Sequence, residues 1–203
     1  MTLRFNSISG FVLAGGESRR MGQPKQGLVL DGETMLEKQV RLLQGVCGTV
    51  SVVGPRVELM QPDVTFISDL VRGRGPLGGI HAALSASRTE YNLVVACDLP
   101  FLQTRFLQHL ARFALRVRTD VTIPEDKTRR LLPVCAVYRR RTLGMIRGRL
   151  AQDLNKADGY FRNARLHVVT WREILRAGFP THIFDNINRP EDLEEARRRL
   201  GAA

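Results

Sequence analysis

The chain has 203 residues, 43% apolar and 25% charged, which is enough for one sizeable core and too balanced for a disordered chain. Lysine and arginine outnumber the acids 31 to 20, and the net charge of +11 suits anionic partners, either phosphorylated small molecules or nucleic acid. No apolar run reaches the roughly 18 residues of a membrane span, and Met1–Gly10 lacks the apolar stretch of a secretory leader, so the chain reads as cytoplasmic with no membrane partner.

Ile8–Leu13 is a short apolar run ending in Ala14-Gly15-Gly16, the pattern of a buried strand feeding a glycine loop. Met35, Leu36, Val40 and Leu43 at helical spacing predict a helix over 34–46, with Thr34 and Glu37 as its capping box. Val50–Val53 is a strand stopped by Gly54-Pro55, and Val64–Ile67 a third strand ending at Ser68-Asp69. Leu77–Ala86 reads as a helix, Leu93–Cys97 as a very apolar strand ending at Asp98, and Thr104–Leu115 as a helix. Val121–Pro124, Val134–Tyr138 and Leu166–Trp171 are predicted strands. Thr142–Leu150 is a helix weakened by Gly144 and Gly148. Pro190–Leu200 closes the chain as a helix with Pro190 at its first position and acids in its first turn. Near-continuous apolar strands alternating with helices predict a single α/β domain, a Rossmann-like, mostly parallel sheet with helices on both faces.

Ligands of such sheets bind outside the carboxyl ends of the strands. The first strand leads into a loop from Gly15 to Lys25, the third into Asp69 and the run Gly73-Arg74-Gly75-Pro76-Leu77-Gly78-Gly79, and the fourth into Asp98. Phe184-Asp185-Asn186-Ile187-Asn188-Arg189-Pro190 stands near the end. Glycines, cations and isolated carboxylates on one edge suit a phosphate-bearing ligand and a metal. Gly15, Gly16 and Gly22 let backbone N–H groups approach an anion, while Arg19, Arg20 and Lys25 supply charge. The Walker A pattern is absent. Gly73–Gly78 does match GxGxxG, but Leu70-Val71-Arg72 separate it from its strand and Pro76 lacks an N–H, which argues against a dinucleotide fingerprint. Asp98 fits a metal ligand, or alternatively a cap for the next helix.

Cys47, Cys97 and Cys135 show no paired spacing and read as small buried hydrophobes. His81 sits among Ile80, Ala82, Ala83 and Leu84, as a packed histidine does, and Trp171 reads as core. The basic stretch from Lys127 to Arg149 and the triplet Arg197-Arg198-Arg199 read equally as solvated faces or as surfaces for polyanionic partners. With aromatics at 6% and no aromatic–basic interleaving, no specific nucleic acid is expected, although a basic nucleic-acid-binding protein is the alternative of a different class.

The wording of the first loop is more specific than its composition. Leu13 to Gly32 reads LAGGxSxRMGxxKxxLxLxG and resembles the opening signature of the molybdenum cofactor guanylyltransferases, a branch of the sugar-nucleotide-transferase-like α/β fold. Asp69 with Gly75-Pro76-Leu77-Gly78-Gly79 resembles that family's second nucleotide motif, and Val94–Pro100 its metal-aspartate motif. Pro133–Tyr138 resembles its pterin-side strand, and Asn186–Leu193 its NxNxPEDL element. The resemblance implies transfer of GMP from GTP to the phosphate of molybdopterin, with Mg²⁺, and release of pyrophosphate. It makes residues 1–115 the nucleotide-binding half and 116–203 the acceptor side. Leu13, Ala14, Gly15 and Gly16 would meet the nucleotide, Lys25 and Arg20 its phosphates, and Asp98 the metal. Asp69 would meet either the base or the ribose. Gly78, Asn186 and Asn188 would face the pterin. Proteins that deliver or accept the molybdenum cofactor are implied as transient partners.

A CTP-dependent cytidylyltransferase or a sugar-phosphate nucleotidyltransferase is the alternative within the fold. Pro24 before Lys25 is shared with the CTP-using sister family, but Gly15 stands where that family usually carries alanine, which favours guanine. Gly54 departs from the family, whose members often place a polar side chain there against the nucleotide.

Overall fold

The computed structural model describes residues 4–15, 25–61, 63–68, 75–152 and 164–201. The strands are β1 (Phe5–Leu13), β2 (Val29–Leu30), β3 (Glu33–Thr34), β4 (Cys47–Val53), β5 (Thr65–Ile67), β6 (Tyr91–Ala96), β7 (Val121–Pro124), β8 (Cys135–Arg139) and β9 (Leu166–Val169). The helices are α1 (Met35–Gln44), α2 (Gly75–Ala86), α3 (Thr104–Val117), α4 (Leu143–Ala151), α5 (Trp171–Arg176) and α6 (Pro190–Gly201). Seven strands form one sheet in the order β5-β4-β1-β6-β8-β7-β9. β8 runs antiparallel to β6 and β7, while the β4–β5, β1–β4, β1–β6 and β7–β9 pairs are parallel. The expected mostly parallel sheet is thus present.

Successive side chains of a strand point to opposite faces, and both faces of this sheet are apolar. Ile8, Val12, Leu93, Val95, Cys135 and Val137 face α1 and α3, meeting Leu36, Val40, Leu43, Phe106 and Leu110. Phe11, Leu13, Val94, Ala136 and Tyr138 face α2 and α4, meeting Leu77, Ile80, Leu84 and Ile146. A third, smaller core joins Leu28, Leu30, Met35, Phe101, Ile187, Leu193 and Ala196, and so ties α6 to the hairpin β2–β3.

The Thr34–Glu37 capping box forms as the sequence predicts. The strand expected over Leu166–Trp171 stops at Val169, because Thr170 and Glu173 form a second capping box and open α5. Trp171 is therefore a helix residue, packed at 6.2 Å against Phe184. The hairpin β2–β3 adds to the predicted elements; its turn is Asp31-Gly32, a tight-turn pair in which both residues adopt positive φ.

All three thiols are buried and free, and burial pushes each up to about 12. His81 is buried in α2. Part of the basic surplus is neutralised locally: Arg139 pairs with Glu90, Arg141 with Asp120, Arg197 with Glu194, and Arg199 with Asp185 and Glu195. Among the described residues no helix is long and apolar enough to cross a membrane.

Candidate functional site

β1 and β6 lie side by side with Leu13 opposite Ala96, so the segments leaving both strands emerge together at one edge. Cys97 N donates to Leu13 O at 3.2 Å and Ala14 N to Val53 O at 2.9 Å. The side chains of Leu13 and Ala14 are buried. Gly15, the next residue, is exposed, so the main chain first becomes open to a ligand there.

Gly54 closes the floor beneath it. A Cβ at this position would lie 3.1 Å from the Ala14 carbonyl carbon and 3.2 Å from the Gly15 nitrogen, and φ is +153°. A side chain at this position would have to push the Ala14–Gly15 backbone back by a few tenths of an ångström. On the other side Gly79 fits against Leu13, where a Cβ would stand 3.2 Å from a Leu13 methyl.

One residue past Cys97, Asp98 meets Lys25. Lys25 Nζ donates to Asp98 Oδ2 at 2.9 Å and to Asn188 Oδ1 at 2.6 Å. The side chains of Lys25 and Asp98 are 19% and 22% exposed, so the pair is sheltered yet open to the edge. Asp98 does not cap a helix, since α3 begins only at Thr104 with Gln103 as its N-cap. Lys25 is not a solvated loop lysine either.

Two props hold Asp98 from behind. Ile187 N donates to its carbonyl at 3.1 Å. Gln39, fully buried on α1, donates Nε2 to the next carbonyl, Leu99 O, at 2.8 Å. Sequence reasoning does not single out Gln39, whose one signal is a polar residue on the helix face carrying Met35, Leu36, Val40 and Leu43. Nor does it give Asp192, a first-turn acid within the Asn186–Leu193 element, a role of its own. The Oδ2 of Asp192 accepts from Asn188 N and Arg189 N, both at 2.9 Å.

The residues expected to act together are only partly together. Leu13, Ala14, Gly15, Lys25 and Asp98 converge at the carboxyl edge of β1 and β6. Asn188, expected on the acceptor side, has its side-chain oxygen on Lys25. Asn186 is exposed and takes no part in the cluster, and Gly78 is buried within α2. Gly16, Arg20 and Asp69 lie outside the described residues. Among those described, no group of three or more His, Cys, Asp or Glu side chains could hold a metal by itself.

The model of the MobA-like NTP transferase domain matches residues 10–168. A molybdenum cofactor guanylyltransferase of Desulfosudis oleivorans is 33% identical over 200 residues, spanning 97% of this chain and 98% of that protein. A probable molybdenum cofactor guanylyltransferase of Pelotomaculum thermopropionicum is 35% identical over 193 residues, spanning 93% and 91%. Among solved structures, the molybdopterin-guanine dinucleotide biosynthesis protein A of Archaeoglobus fulgidus shares the fold with a TM-score of 0.79 at 24% identity, over 96% of this chain and 100% of that one. The 2-C-methyl-D-erythritol 4-phosphate cytidylyltransferase of Thermus thermophilus shares it at 0.69 and 16%, over 96% and 98%.

Proposed function

The chain belongs to the molybdenum cofactor guanylyltransferases within the MobA-like NTP transferase family, and on that premise we propose that it moves GMP from GTP onto the phosphate of molybdenum-bound molybdopterin. The observation that carries this reading is one ammonium, Lys25 Nζ, held between Asp98 Oδ2 and Asn188 Oδ1 beside the main-chain edge of Leu13–Gly15. That is a cation and a carboxylate at the strand edge where the chain emerges at the exposed Gly15.

The bond formed joins an acceptor phosphate oxygen to the α-phosphorus of GTP. The bond broken is the bridge to the β-phosphate, whose electron pair leaves on pyrophosphate. The acceptor oxygen is already anionic at neutral pH, since a second phosphate pKa lies near ~6. No side chain has to remove its proton. The protein's task is to position groups and to offset charge. Lys25 would turn from the Asp98 and Asn188 oxygens towards the triphosphate and stabilise the charge that moves onto pyrophosphate. Gly15 and the Ala14 carbonyl would meet the base through backbone.

Asp98 Oδ2 already faces a cation and is open to the edge, which fits Mg²⁺. This ion takes one or two carboxylates and fills its shell with phosphate oxygens and water, so a lone strand-end aspartate suffices. When bound it would neutralise triphosphate charge. Arg20 would join Lys25 on the phosphates, and Asp69 would serve base or ribose. Asn186, exposed on the same C-terminal segment, would meet the pterin. Three buried thiols without disulfides suit a reducing compartment and support a cytoplasmic setting.

A thermal-shift panel of GTP, CTP, ATP and UTP, with and without Mg²⁺, tests the reading. GTP at about 100 times its Kd is expected to add about 2.7 kcal/mol. Stabilisation by CTP above GTP would replace guanylyl with cytidylyl transfer, and a response to no nucleotide would defeat both.

A further inference from the structure

We propose that Asp192 is a positioning residue for Lys25, acting through Asn188. The proposal rests on reading Lys25 as the phosphate-binding cation.

The α6 N-terminus explains half of what Asp192 does. Pro190 is the first helical residue, so Arg189 stands at the cap position and offers no short side-chain acceptor. Asp192, three residues on, reaches back and takes the Arg189 N–H, as the acid of a capping box does. Helix capping accounts for that bond. It does not account for the second one, from the Asn188 N–H outside the helix to the same Oδ2 at 2.9 Å.

That second bond fixes the residue whose side chain holds Lys25. An asparagine has a short side chain whose direction follows its backbone, because the allowed rotamers depend on φ and ψ. The main chain leading into Asn188 is pinned at two successive N–H groups, Ile187 to Asp98 O and Asn188 to Asp192 Oδ2. Ile187, 1% exposed, also anchors in the small core that contains Leu28, close along the chain to Lys25. Leu28 N in turn donates to Lys25 O at 3.2 Å. Lysine and asparagine are thus mounted on one base, and Asp192 sets the angle of the asparagine arm. The result is a carbonyl oxygen 2.6 Å from Lys25 Nζ.

Two variants separate positioning from capping: Asp192→Ala, and Asp192→Ala combined with Arg189→Ser. Serine at the cap position supplies a new acceptor for the first turn and restores the helix end. It leaves the Asn188 N–H without its carboxylate. Two readouts apply: the rate at which a small amine-acylating reagent modifies Lys25 in nucleotide-free protein, followed by mass spectrometry of the Lys25 peptide, and kcat against KM for GTP. Positioning predicts that both variants acylate several times faster at Lys25 and lose about 10- to 100-fold in kcat. The double variant should meanwhile regain the melting temperature lost by the single one. Asp192→Asn keeps an acceptor oxygen and should protect Lys25 better than alanine does. If the double variant recovers protection and turnover together with stability, Asp192 is a helix cap only and the proposal falls. Acylation needs no nucleotide, so it reports on Asp192 even if Lys25→Ala proves harmless to transfer, a result that would instead overturn the functional reading.

Discussion

Lys25 and Asn188 stand 163 residues apart in sequence and meet at 2.6 Å, joining the first loop of the chain to the segment before its last helix. On the proposed reading of Lys25, the C-terminal segment would serve the nucleotide side of the site as well as the acceptor side. Among the described residues Lys25, a partly sheltered cation, donates to the oxygens of Asp98 and Asn188; on the proposed reading these give way to phosphate oxygens.

Lys25→Ala is expected to slow GMP transfer by about one to three orders of magnitude, the scale seen when a charge-stabilising donor is removed. Asp98 is 22% exposed, so water can solvate its freed carboxylate and the melting temperature should stay close to that of the parent. Steady-state kinetics beside a melting curve checks both halves. Full turnover at saturating GTP would remove Lys25 from the machinery.

Asp98→Asn keeps the shape and an acceptor for Lys25 but removes the charge. A hard divalent cation prefers carboxylate to amide, so the Mg²⁺ needed for half-maximal activity should rise steeply while folding is unchanged. A titration of activity against Mg²⁺ decides it. Unaltered Mg²⁺ dependence would pass the metal role to another carboxylate, with Asp69 first in line.

The sequence is legible where one physical signal dominates. Apolar runs such as Leu93–Cys97 and the Thr34–Glu37 box locate strands and a helix start closely, because burial and capping act over a few residues. Asp98 is readable as a strand-end carboxylate. The features that stay hidden depend on partners distant in the chain. Nothing near Asn188 indicates that it reaches Lys25, and nothing near Gln39 indicates that it serves Leu99 O. Trp171 misleads for a local reason: its apolar character continues the β9 pattern, while Thr170 and Glu173 have already switched the chain to helix.

Gly54→Ala would drive a methyl group against the Ala14–Gly15 backbone, 3.1–3.2 Å away, at a φ that side chains rarely adopt. Backbone cannot swing aside as a side-chain tip can, so a cost of about 1–3 kcal/mol is expected. Nucleotide affinity should fall as well if, as proposed, the Ala14–Gly15 backbone meets the base. Gly79→Ala is the control. Its methyl would meet only Leu13 side-chain carbons at 3.2–3.3 Å, which can shift. Equal nucleotide affinities for the two variants, measured by calorimetry, would contradict the role given to Gly54.

Acid should weaken the fold through its two capping boxes. The Thr34 N–H and hydroxyl hold the Glu37 carboxyl below the ordinary glutamate value of 4.5, and the Thr170 hydroxyl and N–H do the same for Glu173. A carboxyl whose pKa is lower folded than unfolded contributes stability that is complete above the unfolded value and is lost as pH falls through the folded one. Denaturant midpoints should therefore decline below about pH 4.5. Glu37→Gln still accepts from Thr34 but cannot titrate, so it should be less stable than the parent at pH 7 and show a shallower acid decline. Parallel pH curves for parent and variant would exclude Glu37 as a source of the slope.

Gln39→Met tests the prop behind Asp98. Methionine fills nearly the same volume without branching, so packing in the core around α1 is largely kept. The donor to Leu99 O disappears, and a buried carbonyl left without its partner costs about 1–3 kcal/mol. For a chain of this size that corresponds to a melting temperature lower by roughly 2–4 °C per kcal/mol. Leu99 follows Asp98 directly, so a carbonyl released from α1 also frees the carboxylate to drift from Lys25. Stability and GTP turnover should fall together, and saturating GTP with Mg²⁺ should return part of the lost melting temperature by mass action. A variant with parental stability would mean that the amide is dispensable. One that is destabilised yet turns over GTP normally would mean that Ile187 alone suffices to hold Asp98 in place.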